Sequence, residues 1–86
     1  MDQELPPQFY DCVDRFVSLA NEMVAEHGLE RVSAVIMFAA ARFNAHCALE
    51  LDPDIDSTTD DAVGYFVDQY AKLFRDNLAR LPIINQ

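Results

Sequence analysis

Between Phe9 and Val24 the apolar residues recur at a single helical spacing, and that spacing constrains the fold more than any other feature of the chain. At about 100° per residue, Phe9, Cys12, Val13, Phe16, Val17, Leu19, Ala20, Met23 and Val24 share one half of a wheel. Asp11, Asp14, Arg15, Ser18, Glu22 and Glu26 occupy the other half. Pro7 suits a first helical turn, because its fixed φ is helical and its missing N–H would be unpaired there anyway. Gly28 offers a left-handed stop after His27, which as a cation would favour the negative end of the helix dipole. The pattern predicts a helix over residues 7–27.

A second helix is expected over 31–50, and it lacks a polar half. Ile36, Ala39, Ala40, Phe43 and Cys47 form one apolar face. Ala34, Phe38, Ala41, Ala45 and Leu49 form another, so the helix should be covered from two sides. Asp52-Pro53 ends it, since proline lacks a donor and pushes the preceding residue out of the helical region. Ser57 or Thr58, followed three residues later by Asp60 or Asp61, reads as an N-cap for a third helix over 58–81. That helix carries Val63, Phe66, Val67, Tyr70, Leu73, Phe74 and Leu78 on one face. Gly64 weakens its first turn, and the Asp68 to Lys72 spacing supports it slightly.

The expected fold is therefore all-α, a three-helix bundle in a single domain over residues 1–86. Helices 1 and 2 should form an antiparallel hairpin turning near Gly28 to Glu30. That register couples Met23 with Ile36, Ala20 with Ala39 and Phe16 with Phe43, and brings Cys12 opposite Cys47. Two thiols at one level could form a redox latch, but they read better as small buried hydrophobes that stay unreactive.

Composition bounds the function. Six Lys and Arg against fifteen Asp and Glu give a net charge of −9, which repels nucleic-acid phosphates and acidic membrane surfaces. Two cysteines 35 residues apart make neither a disulfide framework nor a zinc motif. The longest uninterrupted apolar run, Ala34 to Ala41, is far shorter than the roughly 20 residues of a membrane span. The acidic MDQELPPQFYD start is unlike a signal peptide, so a cytoplasmic location is expected, without nucleic-acid or membrane partners and without a cofactor.

The stretch FYDCVDRFVSLANEMV, together with AAARFNAH in the second helix, resembles a small family of short, uncharacterised proteobacterial helical proteins. The resemblance spans most of the chain. It implies a compact helical bacterial protein and brings with it no activity, cofactor or catalytic residue.

Four site readings compete. Arg42, His46 and Glu50 line up at i, i+4 and i+8, and a histidine beside a carboxylate can act as a general base. No nucleophile or orienting third group accompanies them, so an ion-pair stripe is the expectation, and the chain reads as a non-enzyme. A second candidate is a calcium-like loop in which Asp52, Asp54, Asp56 and Asp60 supply carboxylates at positions 1, 3, 5 and 9. Ser57 stands where such a loop has its turn glycine, and Val63 where it has its bidentate glutamate.

The third and favoured reading is a protein-interaction module that forms a homodimer. A three-helix bundle of this size covers only part of the circumference of helix 2 and a second subunit is a natural cover for the rest, so Phe38, Arg42, Ala45 and Leu49, with Tyr65 on the third helix, are the expected interface. The competing cover within one chain is helix 3 with the apolar tail Leu81-Pro82-Ile83-Ile84. Asn77, inside the apolar arc of helix 3, could set register. The fourth reading, an acidic decoy for a basic protein, rests on net charge alone and ranks below the dimer.

Overall fold

The computed structural model describes residues 5–81. Of these, 84% are helical, in three helices with no strand among the described residues. They are α1 (Pro7–His27), α2 (Leu29–Leu51) and α3 (Asp60–Arg80). The apolar tail beyond Leu81 lies outside the described residues.

α1 begins as the sequence predicts. Pro6 is extended, Pro7 occupies the first turn, and the Phe9 N–H donates to the Pro6 carbonyl at 2.9 Å. At the other end Gly28 takes φ 88° and ψ 156°, a region open essentially to glycine alone. Its N–H donates to Val24 O at 2.9 Å, while its own carbonyl accepts from Val32 N at 3.1 Å. One residue thus closes α1 and opens α2. The expected three-residue turn shrinks to Gly28, and α2 starts at Leu29 rather than residue 31. α1 and α2 are in contact.

α2 continues one residue past its predicted end, to Leu51, because Asp52 N–H still reaches Ala48 O at 2.9 Å before Pro53 breaks the ladder. α3 starts at Asp60, later than expected. Its N-cap is Thr59, whose side chain makes no cap bond; Ser57 and Thr58 belong to the preceding turn. Asp60 and Asp61 sit in the first turn and Arg80 in the last, matching the helix dipole at both ends. Leu81 N–H closes the helix onto Asn77 O at 2.8 Å.

The chain divides into two compact units within α2, one ending at Asn44 and one starting at Ala45. In the first, Val32 is the one buried apolar side chain among the described residues, 3% exposed. Ala20, Met23 and Val24, at the end of α1 nearest the turn, are half-buried. The second unit holds the end of α2, the aspartate-rich loop and α3. Cys47, Ala48, Ile55, Thr59 and Ala62 are half-buried there.

Two expectations about burial are corrected. Phe16 and Phe43, assigned to inner apolar arcs, are 75% and 66% exposed. Cys12, expected as a core hydrophobe, is exposed, and Cys47 is half-buried. The apolar arcs are present, but among the described residues most of their large side chains are exposed.

α2 bears on the membrane question without deciding it. It is long and apolar enough to cross a membrane by length and composition. Arg42, Asn44 and His46 break the uninterrupted run, yet alanine and aliphatic residues keep the average high over 23 residues, about 34 Å of helix. The core helix of a water-soluble protein meets the same criterion.

Candidate functional site

The acidic loop is built from two short turns in which aspartate side chains imitate backbone carbonyls. In the first, Asp54 N–H donates to Asp52 Oδ1 at 3.2 Å and Ile55 N–H to Asp52 O at 3.0 Å. In the second, Asp56 Oδ1 accepts from Thr58 N at 2.9 Å and from Thr58 Oγ1 at 2.6 Å, with Thr59 Oγ1 farther off at 3.4 Å. Asp56 N–H returns a bond to Thr59 Oγ1 at 3.0 Å, and Thr59 N–H donates to Asp56 O at 3.0 Å. The Thr58 hydroxyl, then its N–H, then the Thr59 hydroxyl stabilise the charged carboxylate and hold it below the ordinary aspartate value of 3.8.

Among the described residues no three His, Cys, Asp or Glu side chains converge as metal ligands do. Asp52 and Asp56 have local hydrogen-bonding duties, and Asp60 is the first residue of α3. The loop connects α2 to α3 with the N–H groups of Asp54, Ile55, Asp56, Thr58 and Thr59 hydrogen-bonded within it.

The α2 stripe is a surface of another kind. Phe38, Arg42, Ala45 and Leu49 follow one another at helical spacing along a single helix, and all are exposed, Phe38 at 65%. Arg42 Cζ lies 5.1 Å from the centroid of the Phe38 ring, an i, i+4 cation–π contact that keeps the guanidinium over an apolar surface. The sequence reading grouped Arg42 with His46 and Glu50. Instead His46 Nε2 stands 3.9 Å from Glu50 Oε2, both well exposed, and Arg42 turns to Phe38. The Phe-x-x-x-Arg spacing was the available signal for that contact.

On α3, Tyr65 is 61% exposed and meets the Phe66 ring edge-on at 5.5 Å. The apolar arc of the same helix, Val63, Phe66, Tyr70, Leu73, Phe74 and Leu78, is exposed too, with Tyr70 and Phe74 stacked at 5.9 Å. Asn77 is exposed rather than buried, and its Nδ2 donates to Leu73 O at 2.9 Å. The surface the sequence reading did not single out is the α1 arc around Phe16. Its signal was the mismatch between three strongly apolar helical faces and the little surface that 86 residues can bury.

No curated protein and no solved structure matches this chain. The family model described as a protein of unknown function (DUF3144) matches residues 9–81, nearly all of the described segment, and the chain belongs to that family.

Proposed function

We propose that this chain is a non-enzymatic helical interaction module of the bacterial cytoplasm, and that its first partner is a second copy of itself. One observation carries the reading: among the described residues a single apolar side chain, Val32, is buried, while large apolar residues stand exposed along all three helices. Monomeric water-soluble proteins rarely leave apolar patches larger than a few hundred Å² open to water, so surfaces of this kind mark association. Association removes them from water at about 25 cal/mol per Å². The Phe38–Arg42 pair and Tyr65 add the aromatic and arginine groups that dominate interface energies.

The test is isotope-filtered NMR on a mixture of labelled and unlabelled chains. Contacts between copies should involve at least one of the exposed rings of the three helices, Phe16, Phe38, Phe43, Tyr70 or Phe74. If every contact to these rings comes from within one chain, the reading falls.

The length and composition of α2 favour a second reading, in which a lipid surface covers it. Arg42 stands against it, because a charged side chain at mid-membrane costs about 2.5–3.5 kcal/mol. Flotation with vesicles of neutral and anionic lipid decides between the two: the module reading expects the protein to stay at the bottom of the gradient.

A further inference from the structure

The charge of α3 is segregated along its length. Every charged side chain between His46 and Lys72 is acidic, Glu50 followed by six aspartates from Asp52 to Asp68. Half of the six Lys and Arg residues follow, as Lys72, Arg75 and Arg80, with Asp76 the one acid among them. Within α3 the change of sign falls at the midpoint, Tyr70. The helix dipole accounts for Asp60, Asp61 and Arg80, which sit in the terminal turns. It does not account for Lys72 and Arg75, because its influence fades within one turn. Pairs inside the helix account for part of the remainder, Lys72 with Asp68 at 3.2 Å and Arg80 with Asp76 at 3.4 Å. Among the described residues Arg75 makes no ion pair.

The same helix carries an exposed stripe with a seven-residue repeat, apolar except at Asn77: Val63, Tyr70 and Asn77 in one row, Phe66 and Leu73 in the other. We propose that the α3 helices of two copies pack antiparallel along this stripe, about a two-fold axis passing beside Tyr70. The proposal rests on the self-association reading above and adds to it a surface and a direction. An antiparallel pair sets the acidic first half of each helix beside the basic second half of the other, and two-fold symmetry makes that match twice. A parallel pair sets acid beside acid and base beside base. Residues equally distant from Tyr70 then face each other, which brings Tyr70 to the partner's Tyr70 and Val63 to the partner's Asn77. Asn77 tolerates an apolar neighbour because its amide already donates to Leu73 O at 2.9 Å.

The test is cross-linking in the full chain with Cys12→Ser and Cys47→Ser, into which Val63→Cys or Asn77→Cys is introduced. The two single variants, one carrying a mass tag, are oxidised separately and as an equilibrated mixture, and the mass of the unoxidised protein is measured alongside. Antiparallel packing gives a mixed disulfide several-fold above either self-linked product, and the excess shrinks as salt rises. Self-linking of each variant, without excess in the mixture, means parallel packing and overturns the proposal while leaving self-association standing. A dimeric mass without any cross-link moves the interface off α3 and overturns it as well. A monomeric mass without cross-links overturns the proposal together with the reading beneath it.

Discussion

Asp56 and Thr59 bond each other in both directions: the Asp56 N–H donates to Thr59 Oγ1 at 3.0 Å, and the Thr59 N–H donates to the Asp56 carbonyl at 3.0 Å. With Asp56 Oδ1 taken up by the backbone and hydroxyl of Thr58, the segment just before α3 is a closed local network.

That network sets a pH dependence. Hydrogen bonds from Thr58 and Thr59 hold the Asp56 carboxyl below 3.8. A group whose pKa is lower in the folded than in the unfolded state adds stability above its unfolded value, and loses that contribution as pH falls through the folded one. The side chain is fully exposed, so the effect is local ordering of the loop rather than global stability. In Thr58→Val with Thr59→Val, NMR titration of the Asp56 carboxyl carbon should place its pKa nearer 3.8. An unchanged value would detach the shift from these hydroxyls.

The two glycines should respond in opposite directions. Gly28→Ala forces a side chain into a conformation that only glycine adopts freely, at about 1–3 kcal/mol. Gly64 lies inside α3 with open space where a Cβ would sit, so Gly64→Ala should stabilise by about 0.5–1 kcal/mol. Urea unfolding of the two variants checks both signs.

The helices were largely legible in the sequence, because a 3.6-residue apolar period needs no knowledge of the rest of the fold. Pro7, Gly28 and Pro53 mark their ends within two residues of where they fall. The aspartates of the loop were harder to read. One composition serves equally for a cation site or for turns that satisfy backbone donors, and the sequence alone does not reveal the turn bonds that Asp52 and Asp56 make. Burial was the least legible property. The wheel shows that Phe16 belongs to an apolar arc, but not whether its own chain has surface left to cover it.

Cys12 shares that α1 arc and is exposed in the single chain. If a second copy covers the arc, thiol labelling at Cys12 should be fast in dilute protein and slow as concentration rises. Cys47, half-buried, should label more slowly than Cys12 under dilute conditions. Labelling of Cys12 that ignores concentration would remove this arc from the interface.

Phe16→Glu and Phe43→Glu remove apolar surface that the single chain leaves exposed, so helix content by circular dichroism should hold. Association should weaken. The loss of a buried Phe at about 1.5–3 kcal/mol corresponds to a Kd raised roughly ten- to a hundred-fold for each. Loss of helix content without change in association would mean that these rings support the monomer.

The central claim is that the apolar faces of this chain are covered by a second copy. Sedimentation equilibrium of the full chain at micromolar concentration tests it most directly. The expected mass is twice the 9.7 kDa of one chain, falling toward 9.7 kDa on dilution. A mass of 9.7 kDa at every concentration would contradict the claim.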